Sequence, residues 1–125
     1  MVIDTSVLMA ILLGEPEADE IARKLDLWAD ELKISAGTVL ELEIAARRRG
    51  LGSKAAQLLE ALSPEVVPFT SQLLASAIEA YREYGPPHAA RLNFGDCFSY
   101  AAAQVLNEPL FYKGNDFAGT PIGKA

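Results

Sequence analysis

Four acidic residues lie where a predicted helix or strand begins, ends or is interrupted: Asp4, Glu41, Asp96 and Asp116. Three of them stand directly beside apolar residues, in the stretches MVID, GDCFSYAAA and NDF, which a solvated acidic surface would not require. Carboxylate oxygens are the ligands that hard divalent cations prefer, and a cation held in this way can activate water. The residue types therefore suggest one oxygen-lined metal pocket, provided that the fold gathers them.

The elements that must position these acids alternate along the chain. We predict strands at residues 2–3, 32–35, 65–69 and 110–112, with room for an edge strand near Ile122, and helices at 7–13, 17–31, 36–49, 53–62, about 71–84 and 95–107. This alternation predicts an α/β fold in which helices cover both faces of a mainly parallel sheet. Such sheets bind ligands at the carboxyl ends of their strands, and Asp4 directly follows the first strand.

Three of the four acids also have a simpler structural explanation. Asp4 can begin an Asx turn or favour the dipole of the next helix. The run from Gly114 to Asp116 is a turn signal by itself. Asp96 can be an ordinary acid in a first helical turn, and its helical angle groups it with Tyr100 and Ala103. That face is predicted to point away from the main core stripe, which consists of Phe98, Ala101, Ala102 and Val105.

Glu41 and Glu43 provide an internal comparison on one predicted helix. Glu43 precedes Arg47 by four residues, so a solvated ion pair explains it. Glu41 precedes only Ile44 and Ala45 at the corresponding spacings. The comparison assigns Glu41 to the site and Glu43 to the surface.

Composition and charge set the limits. A chain of 125 residues that is 50% hydrophobic and 22% charged fits one domain, 1–125. The net charge of −6 opposes nucleic-acid binding unless a bound cation offsets the acidic pocket. We expect a cytoplasmic protein without a membrane segment, because no apolar run is long enough to span a bilayer. The single Cys97 agrees with a reducing compartment and is expected to be a buried apolar side chain.

Other catalytic classes find little support. His88 is the only histidine, so the second histidine that paired acid–base chemistry needs is absent. The preceding Pro86-Pro87 places His88 in a loop. No G-x-S-x-G elbow, P-loop or G-x-G-x-x-G motif is present.

Four blocks carry a family resemblance: VIDTS at 2–6, ISAGTVLEL at 34–42, LNFGDCFSYAAA at 92–103 and LFYKGNDF at 110–117. In this order they resemble the PIN-domain ribonucleases, specifically the VapC toxins of type II toxin–antitoxin systems. The resemblance implies a three-layer α/β/α fold with a sheet of four to five strands. It also implies an endoribonuclease that depends on Mg²⁺ or Mn²⁺ and inhibits translation and growth.

The resemblance assigns roles residue by residue. The metal ligands of the family map onto Asp4 and Asp96, its acidic helix residue onto Glu41, and its supporting hydroxyl onto Thr5 or Ser6. Many members carry Asp where this chain has Asn115, so the fourth acidic position falls to Asp116, to Asn115, or to Asp116 through a water. Whether one or two metals act stays open. The groups expected to contact the RNA backbone are Arg48, Arg91 and Lys113.

The partners implied are an RNA substrate, a VapB-type antitoxin, a second copy of the chain in a homodimer, and larger VapBC assemblies that reach DNA only through the antitoxin. We expect the antitoxin to insert Arg or Lys into the acidic pocket, with helix 7–13 as one wall of its groove. Alternatives are a PIN-domain nuclease of RNA processing and a non-catalytic antitoxin-binding module. A phosphate-accepting signalling domain fits less well, because Thr5-Ser6 follows Asp4 where a second acid would be expected.

Overall fold

The computed structural model describes all residues from 1 to 125. The elements follow in the order β1 (Val2–Ile3), α1 (Thr5–Leu12), α2 (Ala18–Leu27), a 3₁₀ turn (Ala29–Glu31), β2 (Lys33–Ser35), α3 (Ala36–Arg48), α4 (Gly52–Leu62), β3 (Glu65–Val67), α5 (Ser71–Tyr84), α6 (Phe94–Leu106) and β4 (Leu110–Phe111). Each predicted helix and principal strand is present, with shifted ends. No helix is both long and apolar enough to cross a membrane.

The four strands form one parallel sheet in the order β3-β2-β1-β4. Val2 pairs with Lys33 on one side of β1 and with Leu110 on the other. The predicted edge strand near Ile122 is reduced to one parallel bridge between Leu110 and Lys124. Helices pack on both faces, so the predicted α/β/α architecture is confirmed.

Two apolar clusters lie on opposite faces of the sheet. Val2 and Leu110 belong to the cluster with α5 and α6, whereas Ile3 and Phe111 belong to the cluster with α1, α2, α3 and α4. Consecutive strand residues point to opposite faces. Because both faces are covered, adjacent strand positions must all be apolar, and this explains the unbroken apolar runs of the sequence.

The strand order locates a crevice at the carboxyl edge of the sheet. From β1 the chain proceeds to β2 on one side, whereas β4 is added later on the other side. Ligands of open parallel sheets bind where the order reverses in this way. That point lies between β1 and β4, so Asp4 and the loop after Phe111 border the crevice.

One packing prediction is wrong. Tyr100 and Ala103 were expected away from the core, but both are buried. Helix α6 packs against α3, α5 and the sheet, which leaves no open face over these residues.

Candidate active site

Asp4 joins the end of β1 to the start of α1. It is the N-cap of α1, and its Oδ2 accepts a hydrogen bond of 3.1 Å from the backbone N–H of Ser6. Its Oδ1 accepts a bond of 2.5 Å from the hydroxyl of Ser99 on α6. The Asp4 carboxylate is thus buried and held on both sides by uncharged donors.

Asp96 is fixed by the start of α6. The Asn93 side chain accepts from the Asp96 N–H at 3.0 Å, and Asp96 Oδ2 accepts from the Asn93 N–H at 3.0 Å. This reciprocal capping box satisfies two helix-end donors. It uses one carboxylate oxygen of Asp96 and leaves Oδ1 for another ligand.

Glu41 belongs to α3, and its side chain lies between the first turns of α1 and α6. Its Oε1 accepts a hydrogen bond from the Thr5 hydroxyl. A Cβ added at Gly95 would lie 1.4 Å from Glu41 Oε2, so a larger residue here would require the Glu41 carboxylate to move. Glu43, also on α3, instead pairs with Arg47 at 2.8 Å. Its position four residues before Arg47 predicted this ion pair.

The loop after β4 presents Asn115 and Asp116, which are both exposed. The Lys113 N–H donates to Ser6 Oγ at 2.9 Å, which ties this loop to α1. The ring of the buried Phe117 packs against that of Tyr112, with 5.0 Å between the ring centroids, and anchors the other end of the loop. Thr5 and Ser6 therefore both support the site, Thr5 through Glu41 and Ser6 through Asp4 and the loop.

The four carboxylates interact through their charges at Asp96. Burial, together with the negative charges of Asp116, Asp4 and Glu41, raises the pKa of Asp96 to about 7, against the opposing effect of the Asn93 N–H bond. Burial also raises the pKa of Glu41, as does the charge of Asp4, whereas the Thr5 hydroxyl lowers it. The Asp116 charge thus acts on Asp96, whereas the uncharged Asn115 has no such effect, and the choice between them stays open.

No cation of the protein balances this cluster, since none of the four acids forms an ion pair. The cluster is also not a ready-made cage, because no three His, Cys, Asp or Glu side chains are arranged to hold one ion. Magnesium commonly uses one or two carboxylates and keeps several waters. The pair Asp4 and Asp96, with only oxygen donors nearby, fits such an ion.

The comparisons with known proteins decide the family. The chain matches the PIN domain family over residues 1–122. It belongs to that family. Ribonuclease VapC30 of Mycobacterium tuberculosis is 39% identical over 127 residues, covering 98% of this chain and 95% of that protein. Ribonuclease VapC28 of the same organism is 40% identical over 130 residues, covering 100% and 97%. Within the PIN-domain family, the chain is thus a VapC homologue.

Solved PIN-domain structures agree in fold. VapC20 of Mycobacterium tuberculosis, described as a sarcin-ricin loop cleaving toxin, superposes with a TM-score of 0.76 at 20% identity, covering 99% of this chain and 97% of that one. VapBC2 of Rickettsia felis, solved with a DNA fragment from its promoter, gives 0.77 at 18% identity, covering 98% and 94%. At these identities the likeness concerns the fold.

Four residues that contact the PIN-domain acids or their hydrogen-bond partners were not predicted from the sequence: Thr38, Asn93, Gly95 and Ser99. The spacing Asn93-x-x-Asp96 is a capping-box signal that was available in the sequence. Ser99, a hydroxyl one turn after Asp96 in an apolar helix, was a weaker signal. Nothing in the sequence linked Thr38 to Ser99 or Gly95 to Glu41, because those contacts join different helices.

The three basic residues expected at the RNA lie in different surroundings. Lys113 pairs with Glu15 and, at 2.9 Å, with Glu17. Arg48 is exposed near the end of α3, and Arg91 is exposed beside an apolar groove between α5 and α6. Lys113 is thus already neutralised, whereas both arginines are free to meet a polyanion.

His88 and Cys97 are accounted for by local structure. His88 Nδ1 accepts from the Ala90 N–H at 3.0 Å, and its ring packs edge-on against Tyr84. Burial and the Asp96 charge raise the pKa of the Cys97 thiol, which keeps it protonated. Neither side chain adds a nitrogen or thiolate ligand to the cluster.

The contact between Gly95 and Glu41 yields a stability prediction. Gly95→Ala should be less favourable in the wild-type chain than in a Glu41→Ala background, because only the former has a carboxylate in the way. The expected coupling is about 0.5–3 kcal/mol in the free energy of unfolding, measured by urea denaturation. Gly123→Ala, which meets nothing within 4 Å, should have the same effect in both backgrounds. Equal effects of Gly95→Ala in both would contradict the contact.

Burial of Asp96 yields a pH prediction for protein kept free of divalent cations by EDTA. Its pKa is about 7 in the folded chain and about 3.9 when unfolded, so the folded state holds the extra proton between these values. The Asp96 contribution to stability is therefore full at low pH and is lost as pH rises from about 4 to about 7. The raised pKa of Glu41 acts in the same direction.

Asp96→Asn should reduce this loss, as measured by urea unfolding at several pH values, while Asn can still accept the capping bond. Glu43→Gln, at an exposed ion pair, should leave the pH dependence unchanged. An Asp96→Asn curve parallel to that of the wild type would show that Asp96 is not the titrating group.

Proposed function

We propose that this PIN-domain chain is a metal-dependent endoribonuclease that hydrolyses RNA phosphodiester bonds, with Mg²⁺ as its natural ion and Mn²⁺ as a substitute. The observation that carries the proposal is the cluster of four interacting carboxylates without a cationic partner at the carboxyl edge of the sheet. The ribonuclease names of its relatives support the same reaction. PIN-domain nucleases are generally dependent on divalent metals.

The roles follow from how each carboxylate is held. A bound divalent cation would supply phosphate neutralisation and a more acidic water. Asp4 and Asp96 would hold it, because each has a carboxylate fixed in place with free lone pairs. Glu41 would orient the attacking water and accept its proton, and its raised pKa favours proton acceptance near neutral pH. Asp116, on the exposed loop, would complete the pocket at its solvent side.

We further propose that the chain is the toxin of a VapBC system, which inhibits translation and growth and is neutralised by a VapB-type antitoxin. Two structural neighbours are described as a toxin–antitoxin complex from Klebsiella pneumoniae and as VapBC2 with promoter DNA. DNA would be reached through the antitoxin, which agrees with the acidic net charge of this chain.

An apolar surface next to the acids suits the antitoxin. Leu40 and Ile44 are exposed on α3 on either side of Glu41 in sequence, and Leu13 is exposed at the end of α1, which packs against α3. An amphipathic helix laid on these side chains would be able to insert Arg or Lys among the carboxylates.

A second apolar surface suits a second copy of the chain. Leu74, Ile78 and Tyr81 on α5 and Phe94 on α6 line a groove of about 860 Å³. All four are exposed, and contiguous exposed apolar surface of this kind marks an interface. We place the homodimer contact here, and a single-chain mass by light scattering would contradict it.

Metal and acid dependence test the enzymatic proposal. EDTA should abolish cleavage of RNA by the purified chain, and Mg²⁺ or Mn²⁺ should restore it. Asp4→Asn, Asp96→Asn and Glu41→Gln should each reduce the cleavage rate by about 10²-fold or more, because each removes a charge or a base from the reacting centre. Circular dichroism should show that the variants stay folded.

Glu43→Gln is the matched control, because it removes an acid from the same helix as Glu41 but breaks only a surface pair worth about 0.3–0.5 kcal/mol. Its activity should stay within a few fold of the wild type. Equal losses from Glu41→Gln and Glu43→Gln, or full cleavage in EDTA, would reject the proposed site.

Antitoxin binding tests the toxin proposal. A VapB-type protein encoded beside the chain should co-purify with it and inhibit its cleavage of RNA. Leu40→Asp or Ile44→Asp should weaken that complex about 10–100-fold, since each removes an apolar contact worth about 1.5–3 kcal/mol. Val66 is an exposed apolar residue on the edge strand β3, outside the surface formed by Leu13, Leu40 and Ile44. The control variant Val66→Asp should therefore bind the antitoxin normally. Normal binding by both α3 variants would place the antitoxin elsewhere.

A further inference from the structure

Two buried hydroxyl groups lie behind Asp4. Ser99 on α6 and Thr38 on α3 are both 0% exposed, and their hydroxyl oxygens are 3.1 Å apart. Ser99 Oγ also lies 2.5 Å from Asp4 Oδ1. The three side chains form a hydrogen-bonded row that runs from Thr38 on α3, through Ser99 on α6, to Asp4 at the end of β1.

The chemistry of hydroxyl groups sets the direction of this row. An ionised carboxylate can only accept, so the single proton of the Ser99 hydroxyl is donated to Asp4. Ser99 then has only lone pairs to offer Thr38, and the Thr38 hydroxyl must donate to it. The order of donation is therefore Thr38 to Ser99 to Asp4, and each bond polarises the next.

The consequence for Asp4 is a fixed orientation. Ser99 holds Oδ1 from α6, and the Ser6 N–H holds Oδ2 from α1. Two donors on separate elements prevent the carboxylate from rotating about its Cβ–Cγ bond. The lone pairs that remain free then point in one direction before any ligand arrives.

We propose that Ser99, supported by Thr38, is a positioning residue that sets Asp4 for cation binding. This inference rests on the proposed function, in which Asp4 is a metal ligand. The competing explanation is that the two hydroxyls only join α3 to α6. A purely packing role would affect stability and leave the cation affinity unchanged.

The test measures Mn²⁺ affinity by calorimetry on the full chain, independently of RNA cleavage. Ser99→Ala should weaken Mn²⁺ binding about 10–100-fold, the usual effect of losing a group that orients a metal ligand. Thr38→Val keeps the volume and removes the donor, so it should weaken binding at least several-fold. Thr38→Ser keeps the donor and loses a methyl, so it should bind Mn²⁺ like the wild type even if its thermal stability falls.

Asp4→Asn separates the outcomes. If Asp4→Asn leaves Mn²⁺ affinity unchanged, the proposed metal site is wrong and this inference falls with it. If Asp4→Asn weakens binding but Ser99→Ala does not, only the positioning role is rejected. Ser99→Ala should add no further loss in an Asp4→Asn chain. Should Ser99→Ala fail to fold, equal affinities of Thr38→Val and Thr38→Ser would overturn the proposal.

Discussion

The structure depends on burying carboxylates beside one another without a balancing cation from the protein. Such a group is costly to bury unless hydrogen bonds or an ion compensate it. Here the compensation comes from uncharged donors: the Ser6 and Asn93 N–H groups and the hydroxyls of Thr5 and Ser99. These donors orient the acids but cancel none of their charge. The remaining negative potential would attract the divalent ion of the proposed site.

The placement of cations elsewhere fits this constraint. Lys113 follows β4 at the edge of the site, where a free ammonium would compete for the acids, yet it is engaged by Glu15 and Glu17. These pairs raise the pKa of Lys113 and lower that of Glu17, so each partner stabilises the charged form of the other. Glu15 and Glu17, which lie outside the cluster, thus occupy the lysine at the edge of the site.

The sequence was sufficient to predict the elements and the places of three acids on them, because those predictions depend on local signals. Asp4 follows a strand, Asp96 starts a helix, and Glu41 lacks the ion pair that explains Glu43. Prediction from the sequence fails in α6, where the face that carries Asp96, Tyr100 and Ala103 was expected to lie away from the core. Asp96 does belong with Tyr100, but both are buried, since a helix apolar on all sides is enclosed. The supporting residues depend on contacts between helices, which no spacing along the chain reveals.

The same arrangement restricts which metal chemistry the site can support. Imidazole and thiolate ligands favour zinc and other softer ions, whereas carboxylate and water favour Mg²⁺ and Mn²⁺. The only thiol near the acids, that of Cys97, directs its sulfur to the Asn93 carbonyl at 3.2 Å and has a raised pKa. The only imidazole accepts a backbone N–H within its own loop. Because both softer ligands are committed to local contacts, the pocket is left with oxygen donors, and this exclusion supports the proposed preference for hard cations as much as the acids do.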